Sequence, residues 1–283
     1  MIIDLTRTAM RWNHRNTTWR PLREPFDPRQ FHVEPLPKMS LARDFVATHH
    51  YSRQFPVAIA CYGLFERIGA FETKLTGVAA FSIPIQPRAA ASYGAGEASF
   101  CDLGRFLLLD SAGSNAETWF LARALRLLQA ERPEAQGGPS LVIAYSDPMP
   151  RTDRAGNLKF TGHFGGIYRD SSALYLGRTK PRRLWLADDG TVISDRALSK
   201  LRTDDKGASY AYETIIKHGA PKRNIGEDNA AYVTRALTEG PFRPLRHHGN
   251  HIFSFPLGSH ATRRDLRRKL NRDLEKPIRT DTY

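Results

Sequence analysis

The chain has 283 residues, 41% hydrophobic and 10% aromatic, enough for one large domain or two small ones with a real core. Its 42 Lys+Arg against 29 Asp+Glu leave a net charge of +13 and a pI near 10.0, an excess that favours a polyanionic partner. No apolar run approaches the ~20 residues that cross a bilayer. Cys61 and Cys101 lack CxxC or Cys/His spacing, which argues against structural zinc and for two buried thiols in a reducing compartment.

Met1–Leu5 is soon interrupted by charges and carries no secretory apolar region, so a cytoplasmic protein is expected. Residues 1–37, rich in Arg, Pro and Asn, read as an extended arm with few regular elements. Its Trp12 and Trp19 either stack on bases or pin the arm to the domain, and pinning is the commoner role. Leu41, Phe45 and Val46 recur at helical spacing, which predicts a short helix under a Ser40 cap. Val57–Phe65 and Thr76–Ile83 read as strands around a turn at Gly69, and Pro84 stops the second. A Gly/Ala-rich loop follows, then the apolar run Ser99–Leu109 with Arg105 inside it.

The small polar loop Asp110–Asn115 runs into the clearest helix, Ala116–Arg132, whose Trp119, Phe120, Leu121, Leu125, Leu127 and Leu128 make a broad apolar face. Leu141–Tyr145 is the next strand and delivers Asp147. Ala173–Gly177 and Arg183–Leu186 read as further strands, and residues 194–239 as mostly helical. His251–Pro256 is strand-like and precedes a basic helix, Arg263–Arg272. This is an α/β plan with a mixed sheet. It divides into an arm (1–37), a core (38–186), a mostly helical insertion (187–245) and a closing strand and helix (246–283).

Several residues carry candidate chemistry. Asp147 closes a strand before a proline, where it serves either as a general base or as a turn cap. His163, Tyr168 and Tyr175 follow a glycine-rich turn, Gly162-His163-Phe164-Gly165-Gly166, and with Asp147 they group a carboxylate, an imidazole and two phenols. Arg105 lies mid-strand among apolar residues, where it either meets a carboxylate or a ligand phosphate or faces outward on a half-exposed strand. The backbone of Gly113, Ser114 and Asn115 at a helix start makes an anion site or an ordinary cap.

Tyr51 and Arg53 follow the first helix and are candidates for a role against substrate, whereas the adjacent His49 and His50 would supply at most one metal ligand. The His247, His248 and His251 cluster lacks metal-ligand spacing. Arg263, Arg264, Arg267 and Arg268, with Lys269 and Arg272, cover the last helix with few acids between them, as a phosphate-contacting surface would.

The order of these pieces resembles the Mom-type DNA adenine-modifying proteins of phages, related to the GNAT acyltransferases. The resemblance covers most of residues 40–275. It rests on His50-Tyr51-Ser52 with Pro56, Leu103-Gly104-Arg105-Phe106, Tyr145-Ser146-Asp147-Pro148, Gly162–Tyr168, Tyr175–Gly177 and His251–Phe255. It implies a GNAT-like mixed central sheet flanked by helices, and a phage- or prophage-encoded transferase that acts on double-stranded DNA. The reaction implied adds a carbamoylmethyl group to the N6 amine of adenine and protects the DNA from restriction. Tyr51, Arg105, Ser114, Asp147 and Tyr168 would then lie in or near the active site. Acetyl-CoA or another acyl-CoA as donor, held by Arg105, Gly113, Ser114 and Asn115, and iron enter as implications of the resemblance alone. Two departures from the family pattern are the long spacer 149–161 and the enlarged segment 187–245. The rival readings are a GNAT-type acyltransferase acting on RNA, protein or a small amine, and a DNA-binding protein without catalysis.

Overall fold

Alternation of apolar residues along seven strands builds the central sheet of the computed structural model, which describes residues 8–21, 24–84 and 86–270. The Met1–Leu5 segment and Arg272 fall outside the described residues. In chain order, strands β1 (Thr8–Asn13), β2 (Asn16–Pro21) and β3 (Phe31–Pro35) precede helix α1 (Met39–His49). Then come β4 (Ala58–Arg67), β5 (Thr73–Ser82), the short α2 (Ala89–Ser92), β6 (Phe100–Leu108) and α3 (Ala116–Glu131). Next are β7 (Leu141–Ser146), β8 (Arg151–Thr152), β9 (Leu158–Phe160), α4 (Gly166–Asp170) and β10 (Leu174–Arg178). They are followed by β11 (Arg182–Leu186), β12 (Val192–Ile193), α5 (Asp195–Thr203), α6 (Ala208–Lys217) and α7 (Asn229–Glu239). Strands β13 (Arg243–His247) and β14 (His251–Pro256) and helix α8 (His260–Leu270) complete the chain. The fold is α/β, as expected.

The chain forms two units. The first holds residues up to Pro148, His163–Arg178 and those from Asn250 onward. Its sheet runs in the order β10-β14-β7-β6-β5-β4-β3, antiparallel throughout except for the β6–β7 pair. Helix α3 places Ala116, Phe120, Leu121, Ala124 and Leu128, all fully buried, against one face of the sheet. Each such Leu or Phe contributes about 1.5–3 kcal/mol by leaving water. On the other face Leu266 and Leu270 of α8 pack with Leu141, Ile143 and Ile252, while Ala42, Phe45 and Val46 of α1 pack with Val78 and Ala80. Strand β5 is therefore covered on both sides.

Two local readings change. Residues 8–21, expected within an extended arm, form the β1–β2 hairpin. Its turn residues His14 and Arg15 both have positive φ (43° and 71°), a geometry usually signalled by Asn-Gly, which this sequence lacks. Helix α1 starts one residue earlier than Ser40, and its cap position, Lys38, makes no side-chain capping bond.

The second unit takes Met149–Gly162 and Thr179–Gly249, which include the spacer 149–161 and the segment 187–245 and also residues 179–186, expected in the core. Strand β11 lies between β12 and β13, and helices α5–α7 bury Leu198, Leu201, Ile215, Tyr232, Val233 and Leu237 in a core of their own. Ser194 and Asp228 cap α5 and α7 by accepting backbone N–H groups of the first turn. Among the described residues no helix is long and apolar enough to cross a membrane.

Candidate active site

The site begins where the one parallel strand pair parts. Strands β6 and β7 pair only over Phe100–Asp102 and Leu141–Ile143. Beyond that, β6 stays with β5 to Leu108 and β7 stays with β14 to Ser146. Backbone groups that a continuous ladder would consume are left facing a wedge. Gly104 sits in β6 where a Cβ would stand 2.5 Å from Ser82 Oγ and 2.9 Å from Pro56 Cγ, so the chain after α1 lies close over this strand.

That chain supplies the first polar group. His50 ends α1, its N–H donating to Val46 O at 2.9 Å. Its Nδ1 accepts the Ser52 N–H at 3.2 Å and lies 2.9 Å from Ser52 Oγ, which leaves Nε2 to carry the proton of the neutral ring. Burial first, then the charges of Arg105 and His163, holds this imidazole well below the usual histidine range. It is neutral at pH 7.

Arg105 donates to Gln54 O at 2.9 Å, to Gly104 O, and to Ser52 Oγ at 3.3 Å. Burial lowers its pKa, while Tyr51 and Tyr168 act in the opposite sense. It makes no ion pair with a carboxylate among the described residues. A partly buried guanidinium bonded only to neutral oxygens retains an unbalanced charge, and an anionic ligand would balance it.

The glycine-rich turn provides the facing groups. Gly165 has φ 73°, and a Cβ there would stand 2.3 Å from the Phe253 ring and 3.0 Å from Ser146 Oγ, so only glycine allows the turn to lie against β7 and β14. The turn leads into α4, whose Tyr168 is buried against Phe253 and Phe255, with ring centroids 5.4 and 6.2 Å away. Burial, then Tyr51, pushes the Tyr168 phenol above its usual range, and Arg105 pulls it down. Its hydroxyl has no protein hydrogen-bond partner among the described residues. The His163 ring lies 5.6 Å from the Tyr168 ring. The His163 N–H donates to Asp147 O at 2.6 Å, and His163 Nδ1 accepts the Gly165 N–H at 3.1 Å. Asp147 and His163 are thus fixed to each other through the backbone, with the Asp147 side chain half-buried at the end of β7.

Tyr51, His50, Arg105, His163 and Tyr168 thus form one cluster, with Asp147 joined to it through His163. Trp12 backs it, its ring 4.8 Å from Tyr51 and 6.2 Å from His50. At 6% exposure Trp12 pins the hairpin rather than offering a face to a base. Arg53 is exposed beside the cluster with φ 54°, a strained backbone for a non-glycine residue. Tyr175 instead bonds His251, its hydroxyl 2.8 Å from Nδ1.

The loop Asp110–Asn115 is engaged by the N-terminal segment. Arg11, 2% exposed, donates to the carbonyls of Leu109 (2.7 Å), Ala112 and Gly113 (2.9 Å) and pairs with Glu117 at 2.7 Å. A Cβ on Gly113 would meet Pro25 O at 2.1 Å, and Ser114 is buried with its Oγ 3.5 Å from Glu24 O. Asn115 sits at the α3 cap position, exposed and without a side-chain capping bond.

Arg263, Arg264, Arg267 and Arg268 all lie on the exposed face of α8, where Asp265 bonds Arg268 at 2.9 Å and Lys269 at 2.7 Å. Arg11, an Arg within a polar stretch, carries no local sequence signal, and Ser52 stands in the His50-Tyr51-Ser52 motif with no role that spacing alone assigns. Cys61 and Cys101 are buried free thiols, raised by burial to about 11 and about 12. Among the described residues no three His, Cys, Asp or Glu side chains converge as metal ligands.

A family model described as the Mom protein family matches residues 30–233, well over half the chain. The match includes Tyr51, Arg105, Asp147, His163 and Tyr168. No curated protein matches the chain.

Proposed function

The chain belongs to the Mom protein family, and from that membership and the Arg105 cluster we propose a transferase that modifies the N6 amine of adenine in DNA. Membership supports phage DNA modification as the general role. The observation that carries the finer reading is Arg105, a cation without a carboxylate partner among two phenols and two imidazoles. An enzyme that joins a nucleotide to an activated donor needs such an anion site. The parting of β6 from β7 supports a GNAT-like plan, because unshared strand edges offer N–H and C=O groups to the arm of an acyl-CoA donor. Of the loop residues, the exposed Asn115 is the proposed contact for that donor's phosphates, whereas Gly113 and Ser114 lie against Pro25 and Glu24.

The N6 amine is a weak nucleophile because its lone pair is delocalised into the ring. In this reading Arg105 binds an anionic group of donor or nucleotide, and Tyr51 packs against the base. The amine nitrogen bonds to the electrophilic carbon of the donor, the donor's leaving group departs, and the amine proton passes to Asp147. Tyr168 donates a hydrogen bond to the charge that develops, since its phenol stays protonated at neutral pH. His163 orients Asp147 through their shared backbone bond. The target base leaves the duplex first, at a cost of roughly a few kcal/mol. Contacts of the basic surface with phosphates, including those of α8, offset that cost.

The test is to express the protein in a bacterium, digest the genomic DNA to nucleosides and weigh them beside an Asp147→Asn control. A heavier adenosine species that is lost in the control supports the reading, and its mass identifies the added group. A carbamoylmethyl increment would extend the family chemistry to this chain. Unmodified DNA with modified RNA, protein or small amines would favour the broader acyltransferase reading.

A further inference from the structure

Away from this cluster, the free edge of the sheet carries a groove of about 680 Å³ between β3 and α3. Its floor is apolar, formed by Phe31, Val33 and Leu127. Arg29, which pairs with Asp27 at 3.0 Å, also lines the groove, and its rim is cationic at three further points: Arg67 at the end of β4, and Arg123 and Arg126 on α3. These three arginines make no ion pair among the described residues. Burial, then the neighbouring Arg126, lowers the Arg123 pKa, as expected of like charges held together with no acid between them. A surface under selection for stability alone would interleave carboxylates here.

The aromatic lining narrows the ligand class. Arg123 lies 3.5 Å from the centroid of the Trp119 ring and covers that face, while Phe26 meets the same ring edge-on. The indole fixes the arginine and has little face left for a base. The groove is therefore suited to phosphate rather than to base stacking.

Its place relative to the cluster narrows it further. Arg105 on β6 opposes Ala80 on β5, and Ala80 opposes Cys61 on β4. Arg67 lies farther along β4 by a distance of about 20 Å, at ~3.3 Å per residue. Helices α3 and α4 pack on the same face of the sheet. A duplex rises about 3.4 Å per base pair along its axis, so a separation of about 20 Å along that axis corresponds to roughly six base pairs.

We propose that this groove is a second nucleic-acid contact, which holds the phosphate backbone of DNA flanking the target base. The proposal rests on the reading of DNA as substrate. It assigns the groove to anchoring and not to chemistry, with no dependence on base sequence.

The test uses the full chain and a fluorescent 30-base-pair duplex, with binding followed by anisotropy over a salt series. Arg123→Ala/Arg126→Ala and, separately, Arg67→Ala are compared with the unchanged protein. Each lost phosphate contact lowers the slope of log affinity against log salt by about 0.9. The double variant is expected to lose about two units and the single variant about one, with the yield of modified adenine at saturating DNA unchanged. Unchanged affinity and slope in both variants would overturn the groove while leaving DNA as substrate. Failure of the unchanged protein to bind duplex even at low salt would overturn the DNA reading and the groove together. Circular dichroism melts of each variant establish that folding is intact, and the exposed Arg67 provides a substitution outside α3.

Discussion

The Arg105 guanidinium stands 3.3 Å from the Ser52 hydroxyl, and through that hydroxyl it is joined to the His50 ring, 2.9 Å from the same oxygen. Ser52 accepts from the cation and donates to the neutral imidazole. Replacing it with alanine removes one of the three bonds that aim Arg105. A hydrogen bond to a charged group contributes about 1.5–3 kcal/mol. Ser52→Ala is therefore expected to lower the modification rate at least tenfold while the melting temperature moves by only a few degrees. Nucleoside mass analysis at matched protein levels measures it, and an unchanged rate would exclude Ser52 from positioning Arg105.

The same ring predicts a pH dependence. His50 is held well below its ordinary 6.5 by burial. Above about pH 6.5 it is neutral in folded and unfolded chains alike, and it adds no slope to stability. As pH falls below 6.5 the unfolded chain takes up the proton and the folded one does not, so stability falls until the folded pKa is passed. Urea midpoints between pH 7 and pH 5 should decline, and His50→Gln should decline less steeply. Equal slopes would remove His50 as the cause.

How much of this was legible in the sequence follows from what each signal depends on. The α3 helix, the strand ending at Asp147 and the β14 strand are local patterns, and chain order with periodicity was enough to read them. The glycine-rich turn was also legible as a turn. Its reason was not: Gly165 is required by the Phe253 ring, 88 residues away in sequence. The β1–β2 hairpin was missed because His14 and Arg15 take positive φ without the glycine or asparagine that usually marks it. The bond of Arg11 to three loop carbonyls spans about a hundred residues and leaves no trace in local spacing. The second unit was visible in part as two departures from a family pattern, and only the fold brings Met149–Gly162 and Thr179–Gly249 into one body.

Arg11 yields a stability prediction. Its removal leaves Glu117 without its partner and the carbonyls of Leu109, Ala112 and Gly113 without this donor. Breaking a buried ion pair costs about 3–5 kcal/mol. Urea unfolding of Arg11→Ala should show a loss of that order, with Arg11→Lys intermediate. A loss under 1 kcal/mol would show that the loop supports itself.

Gly165→Ala places a methyl group 2.3 Å from the Phe253 ring at a φ of 73°. Overpacking of this kind costs about 1–3 kcal/mol. The expected result is a lower melting temperature together with reduced modification, because Tyr168 and His163 flank the displaced turn. Gly166→Ala, where a Cβ meets nothing within 4 Å, should be far milder and is the matched control.

In the second unit, Arg183 and Arg246 face each other across the β11–β13 pair, both exposed. Like charges directly opposite each other are destabilising, and opposite charges contribute roughly 0.2–1 kcal/mol. Arg246→Glu should therefore raise the unfolding midpoint at low salt, with the gain shrinking as salt is added. A fall in the midpoint would show that these side chains diverge.

If Arg105 serves an adenine-modifying reaction, the mass of nucleosides from the DNA of cells making the unchanged protein or Arg105→Gln reveals it. A heavier adenosine species is expected with the unchanged protein and is lost in the variant, with both proteins folded to similar melting temperatures. The same species at full yield in Arg105→Gln would contradict that role for Arg105.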